Sequence, residues 1–260
     1  MAEDATLSPI TSLSYVVPAY NEEERLAESL QKLIAYAAAQ PYGVDIIIVD
    51  DGSTDRTAEI ANASIAELPD GVTARVVVHE ANRGKGAAVR TGALTATGDV
   101  VLYLDADLAT APEETQKLLD AFTPGVDIAI GSRVKPGGGD MRASQPAWRR
   151  IGGRMFGVLR RRLLLPDIKD TQCGFKAFTR RAATDIFGRQ QLDGLAFDAE
   201  LLYLAQQLGY GVAQVPIEWH HVEGSSIRLG LGSMLREVRD LMRIRLLHRG
   251  LTPADQEATD

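Results

Sequence analysis

Residues 100–107 read VVLYLDAD, a short apolar run, Val100–Leu104, that ends in two carboxylates, Asp105 and Asp107. Five apolar residues in a row are strand-sized, and a run without polar alternation fits a strand buried on both faces, as in a parallel sheet. Side chains alternate along an extended chain, so Asp105 and Asp107 leave the strand end on one side. Such a pair suits a hard divalent cation, because Mg²⁺ or Mn²⁺ is held by one or two carboxylates with phosphate oxygens and water completing the shell. Two aspartates after a strand are also ordinary turn and cap chemistry. The neighbouring sequence decides between the two.

Leu13–Val17, Val44–Val49, Thr73–Val78 and Asp127–Ile130 also read as strands, alternating with helical patterns at Glu22–Ala39, Thr54–Leu68, Gly86–Ala96 and Pro112–Phe122. That alternation predicts an α/β domain with a mostly parallel sheet, helices on both faces, and ligands at the carboxyl ends of the strands. The polar clusters fall there: PAYNEEE at 18–24, DDGSTD at 50–55, NRGKG at 82–86 and DAD at 105–107. Gly52 permits a tight turn and Ser53, Thr54 or Asp55 can cap the next helix, which leaves Asp50 or Asp51 to accept hydrogen bonds from a base or ribose. Lys85, flanked by glycines at a helix start, is suited to phosphate. Neither GxGxxG after the first strand nor GxxxxGK[ST] occurs, which disfavours a dinucleotide dehydrogenase or a P-loop enzyme.

The second half is less regular. GGGD at 137–140 reads as a loop, Trp148–Leu164 as a basic amphipathic helix, DTQCGF at 170–175 as irregular chain, Phe197–Leu208 as a helix, Val212–Ile217 as a strand and Ser233–His248 as a final basic helix. The expected organisation is a tail at 1–11, one domain at 12–228, a C-terminal helix at 229–251 and a second tail at 252–260. The net charge of −7 conceals seven arginines and no acid between Arg142 and Leu165, and six arginines against Glu237 and Asp240 between Arg228 and Arg249. An acidic body with two basic, apolar-rich segments suits an anionic membrane surface or phosphorylated ligands, and argues against nucleic acid. The final helix can instead pack on the body or on a second subunit, as a homodimer would require. No apolar run approaches the ~18 residues of a spanning helix, the first residues lack the pattern of a secretory signal, and Cys173 is the single cysteine. The expectation is a cytoplasmic protein, peripheral on the inner face of the membrane. His220 and His221 are adjacent, so on a strand they point to opposite faces, and metal ligation by either is disfavoured.

The ordered set PAYNEE, DDGSTD, NRGKGAAVRTG, DAD, GSR (131–133), DTQCGF and FDAELL (197–202) resembles glycosyltransferase family 2 from about Ser14 to Trp219. Within it the likeness is to enzymes that charge polyprenyl phosphates, and most of all to dolichyl-phosphate β-glucosyltransferases. The resemblance implies a GT-A fold, Rossmann-like, and a nucleoside-diphosphate sugar held by Pro18, Ala19, Tyr20, Glu22, Asp50, Asp51, Ser53, Lys85, Asp105, Ala106 and Asp107. It implies Mg²⁺ or Mn²⁺ on Asp105 and Asp107, catalytic roles for Asp170, Arg133 and Asp198, and an acceptor lipid phosphate met by Arg133, Arg150 and Arg154. Mannosyl relatives often carry a polar residue where this chain has Ala109, which cannot ligate. That departure favours UDP-glucose, with GDP-mannose as the alternative donor. Two rivals lie outside the class. A haloacid-dehalogenase-like phosphatase wants Thr or Val at the position of Ala109, and a non-catalytic membrane-binding module has no need of Asp50, Asp51, Asp105 and Asp107.

Overall fold

The computed structural model describes residues 10–134, 164–220 and 231–251. In chain order they form β1 (Ser12–Ala19), α1 (Leu26–Ala38), β2 (Gly43–Asp50), α2 (Thr57–Ser64), β3 (Val72–Val78), α3 (Lys85–Thr95) and β4 (Val100–Leu104). A short 3₁₀ turn, Pro112–Glu114, leads into α4 (Thr115–Leu119) and β5 (Ile128–Ser132). Then come β6 (Phe175–Thr179), α5 (Arg180–Arg189), α6 (Phe197–Gln207), β7 (Val212–Pro216) and α7 (Leu231–Leu247). The strands make one sheet in the order β3-β2-β1-β4-β6-β5-β7.

Both faces of this sheet are covered, and the strands sort their side chains between two cores with the period of two that extended chain dictates. Val16, Ile47, Val49, Val101 and Tyr103 enter one core with Phe178, Phe187, Phe197 and Leu201. Tyr15, Val17, Ile46, Ile48, Leu102 and Leu104 enter the other with Leu26, Leu30 and Leu33 of α1 and with Leu118 of α4. The expected alternation is therefore present, and the paired carboxylates do follow a doubly buried strand.

Pairing is parallel for β1–β2, β2–β3, β1–β4 and β5–β7. β6 runs antiparallel to both of its neighbours, β4 and β5. The reading of 170–175 as irregular chain holds through Gly174, but Phe175 opens β6, FKAFT, and this strand and α5 were not anticipated from sequence. A buried lysine at its second position broke the apolar pattern that would have marked it. Two predicted helices also begin late. Asn21 takes φ 52°, and Arg25 and Leu26 both donate to the Glu22 carbonyl, so α1 starts at Leu26 instead of Glu22. Asp55 accepts from the amide of Thr57 at 3.0 Å and from its hydroxyl, so the DDGSTD segment is an aspartate-held turn that delays α2 to Thr57. Thr11, assigned to the N-terminal tail by sequence, donates its amide and hydroxyl to Asp99 at 3.0 and 2.7 Å.

Candidate active site

The parallel strands β1, β2 and β4 end together, with Ala19 opposite Asp50 and with Asp105 one residue beyond Leu104. The loops after β1 and β2 are locked to one another. Asp50 is 1% exposed and accepts from the Ser53 amide at 3.0 Å and from the Ser53 hydroxyl, which itself accepts from the Asn21 amide at 2.9 Å. Asn21 Oδ1 takes the Thr54 amide at 2.9 Å, and Glu22, expected at the donor, has its carboxylate on Arg25. Gly52, at φ 68°, could not carry a Cβ, which would strike the backbone of Ala81 and Asn82.

The sequence left Asp50 or Asp51 for a base or ribose, and Asp51 is held by donors of the protein itself. Its Oδ1 meets His79 Nδ1 at 2.8 Å and the Arg83 amide at 3.0 Å, and its Oδ2 takes the Gly84 amide at 2.7 Å. His79 Nε2 continues the chain to Thr91 Oγ1 at 3.0 Å. Sequence reasoning passed over His79, because a lone histidine after a strand carries no motif. At the start of α3 the amides of Gly86 and Ala87 donate to the Asp193 carbonyl at 2.8 and 3.4 Å. Two of the helix-terminus amides that bind anions elsewhere, those of Gly86 and Ala87, are spent here within the protein.

Lys85 reaches across to Asp105 Oδ1. Burial works against its charge, but Asp105 and then Asp198 more than offset this and hold the ammonium above its ordinary pKa. Asp107 is pushed the other way for an acid: burial first and the charge of Asp105 second raise its carboxyl above the usual carboxylate range. Two carboxylates that disfavour each other's charge are what a divalent cation relieves. Asp107 Oδ1 also accepts from the Ala109 amide at 3.1 Å, and the carbonyl of buried Ala109 takes the His220 amide at 2.8 Å. His220 thus lies alongside this loop with its side chain exposed. Among the described residues no group of three or more His, Cys, Asp or Glu is arranged to hold a metal ion, so phosphate oxygens and water would have to complete a shell based on Asp105 and Asp107.

Asp105 is packed against a residue of the DTQCGF motif to which the sequence assigned no role of its own, Gly174. A Cβ on Gly174 would overlap the Asp105 carboxylate, so only glycine lets the start of β6 pass so close. Directly behind lies a buried charge network. Lys176 is fully buried, donating to Asp198 and, at 2.5 Å, to the Cys173 carbonyl, with its ammonium 5.2 Å from the Tyr103 ring centre. The Tyr103 hydroxyl donates to the same Asp198 oxygen. Tyr103 and Lys176 are register partners on β4 and β6, so Asp198 fastens both strands just before they reach Asp105 and Gly174.

The other side of β6 carries the second charged pair. Arg133, after β5, makes a two-point contact with Asp170, Nε to Oδ2 and Nη2 to Oδ1 at 2.8 Å each, and its amide also donates to Oδ2 at 3.0 Å. Burial opposes the charge on Arg133, and the adjacent Asp170 outweighs it, so the guanidinium stays protonated. It lies 5.6 Å from the Trp219 ring centre, within cation–π range. Cys173 is buried and its thiol is pushed up to about 12 by burial, so it is unreactive. Pro18, Ala19, Tyr20 and Ala106 stand at the same strand ends as the carboxylates. Arg150, Arg154, residues 148–163 of the expected helix and His221 lie outside the described residues.

A mostly parallel sheet with paired aspartates after β4, an ordered loop after β2 and a half-buried arginine after β5 has the architecture of a GT-A glycosyltransferase. The chain belongs to glycosyl transferase family 2, whose profile matches residues 14–187. It is 36% identical over 242 residues to the dolichyl-phosphate beta-glucosyltransferase of Dictyostelium discoideum, a match covering 90% of this chain and 73% of that one. It is 35% identical over 250 residues to the dolichyl-phosphate beta-glucosyltransferase of Homo sapiens, covering 92% and 76%. Among solved structures, glucosyl-3-phosphoglycerate synthase from Mycobacterium tuberculosis with uridine diphosphate superposes at a TM-score of 0.66 and 22% identity, covering 94% of this chain and 82% of that one. The same enzyme with Mn²⁺, uridine diphosphate and glucosyl-3-phosphoglycerate gives 0.63 at 20% identity. At such identity the likeness establishes the fold.

Proposed function

We propose that the chain transfers glucose from UDP-glucose to a polyprenyl, dolichyl-type phosphate at a membrane surface, inverting the anomeric centre. The observation that carries this reading is the pairing of two charged stations across one strand. Asp105, Asp107 and Lys85 stand at the end of β4, Arg133 with Asp170 stands at the end of β5, and only β6 lies between. A donor diphosphate needs the first station and an acceptor phosphate needs the second.

A phosphate monoester is already an anionic nucleophile, so transfer demands position and charge balance more than a strong base. Asp105 and Asp107 would hold Mg²⁺ or Mn²⁺, which when bound stabilises a departing diphosphate. Lys85 adds a fixed positive charge beside them. Arg133 would draw in the acceptor phosphate, and Asp170 orients it: the Nε–Nη2 edge is committed to Asp170, so the phosphate is met by the opposite side of the guanidinium. Trp219 flanks the same cation with an apolar ring. Asp198 acts at one remove, by fixing the strands that carry Asp105 and Gly174. Direct single displacement on this frame gives a β-linked sugar phosphate.

Membrane approach is proposed for α7, where Met242 and Leu246 are exposed and Arg239, Arg243, Arg245 and Arg249 accompany them. Apolar side chains among arginines suit the headgroup layer. No helix of the described residues is long and apolar enough to cross a membrane.

The test is incorporation of radiolabelled glucose from UDP-glucose into an organic-extractable product with polyprenyl phosphate as acceptor. Label should appear with Mg²⁺ or Mn²⁺, vanish with EDTA, and be lost in Asp107→Ala. Label that persists in EDTA and in Asp107→Ala would refute the metal-dependent reading.

A further inference from the structure

The proposed chemistry leaves a second buried acid unused. Glu200 on α6 is wholly buried, and its carboxylate receives the Gln191 amide on Oε1 and the Leu192 amide on Oε2, each at 2.9 Å. His248, 5% exposed just beyond α7, brings Nε2 to Oε1 at 2.6 Å. The segment that Glu200 holds, 190–193, is the one that grips the first turn of α3. Asp193 O takes the amides of Gly86 and Ala87, while Gln190 Nε2 donates to Gly86 O at 2.9 Å and to Leu192 O at 2.8 Å. Gly86 is therefore bound through both its amide and its carbonyl. The two segments touch backbone to backbone, since a Cβ on Gly86 would lie 2.7 Å from Leu192 O and one on Gly84 would overlap Asp193 O. Lys85 sits between those glycines with its ammonium on Asp105.

We infer that Glu200 and His248 are positioning residues for Lys85, forming a strut from the C-terminal helix through 190–193 to the donor diphosphate station. A buried carboxylate with two amide donors and an imidazole is a strong, directional anchor. The contact has no slack between it and Gly86. Gln191 Nε2, 3.3 Å from Leu247 O, adds a second tie to the same end of α7. The functional part of this inference rests on the proposed use of a nucleoside diphosphate sugar. The mechanical part does not.

Two measurements separate them. Amide hydrogen exchange reads the strut without ligand, and steady-state kinetics with UDP-glucose read its effect on the site. In Glu200→Gln and His248→Leu, exchange at Gly86 and Ala87 should speed by at least about tenfold relative to the strand amides of β1 and β2. The KM for UDP-glucose should rise about tenfold, the size expected when a charge-assisted hydrogen bond is lost. His248→Gln keeps an N–H donor near the same place and should restore KM to within about threefold of the parent value. Placed on a Lys85→Ala background, Glu200→Gln should add little, because residues acting in series are not additive. Should Glu200→Gln fail to fold, His248→Leu carries the test, since it leaves the carboxylate with both amides. Unchanged exchange at Gly86 and Ala87, an unchanged KM in folded variants, or full additivity with Lys85→Ala would each overturn the strut. A parent protein that binds no UDP in calorimetry with Mn²⁺, yet shows the exchange response, would overturn the donor reading and keep the strut's mechanics.

Discussion

Gly174 shows how a single side chain, or its absence, sets the chemistry. Its missing Cβ makes room for the Asp105 carboxylate, so Gly174→Ala should displace a proposed metal ligand while leaving the fold in place. Misplacement by about 1 Å can cost about 100-fold in rate, and a fall of that order in kcat/KM is expected with an unchanged circular dichroism spectrum. Normal activity in Gly174→Ala would show that Asp105 is free to move. Asp198 behaves oppositely. It pairs with a lysine that has no access to water, so Asp198→Ala leaves Lys176 without its carboxylate partner, at a cost of about 3–5 kcal/mol in urea denaturation. Replacing both, Lys176→Met with Asp198→Leu, should recover most of that loss. Equal destabilisation in the single and double variants would contradict the pairing. The sequence singled out Asp105, Asp107, Asp170, Arg133 and Asp198 as candidates, but not most of their partners. Which cation answers which carboxylate depends on contacts between residues far apart in the chain, such as Lys85 with Asp105 and Lys176 with Asp198.

Strands β1 to β4 were legible because each is a compact apolar run followed by a polar cluster, a pattern set by burial on both faces and ligand chemistry at one end. β6 was not, because its buried charge reads as a polar interruption until Asp198 is known to meet it. The helix starts slipped for a related reason: Asn21 takes a positive φ with its side chain on the loop after β2, and Asp55 spends its side chain on a turn, neither of which local helix propensity registers. The opposite end of β1 offers a test by pH. Asp99 accepts from the Thr11 hydroxyl and amide and from the Ser12 amide, and these contacts, the Thr11 hydroxyl foremost, hold its carboxyl below the usual value. A depressed carboxyl stabilises the fold above its ordinary pKa, and the contribution disappears as pH falls through the lowered one. Chemical exchange slows in acid for any free amide, so protection factors are the quantity to compare. Protection at Thr11 and Ser12 should hold at neutral pH and collapse below about pH 4, ahead of the rest of β1, and Asp99→Asn should lose it at every pH. Protection independent of pH would remove Asp99 from that role.

At the scale of the whole molecule, the sheet gathers its charges at one end and the C-terminal helix presents apolar side chains among arginines. If α7 meets lipid, the chain should float with vesicles containing anionic lipid at low salt, and Met242→Asp with Leu246→Asp should reduce the floated fraction several-fold with the melting temperature kept. Flotation unaffected by that pair would move the contact elsewhere. The proposed chemistry turns on the division of labour between β4 and β5, one station for each phosphate, and the identity of the transferred sugar probes it at the level of the product. UDP-glucose and GDP-mannose, each radiolabelled, are offered in parallel with polyprenyl phosphate and Mn²⁺, and the lipid product is characterised by mass spectrometry and by its anomeric configuration. The predicted result is a β-glucosyl phosphate lipid formed from UDP-glucose; a lipid product formed only from GDP-mannose would contradict the proposed donor, and no lipid product from either donor would contradict the two-station arrangement.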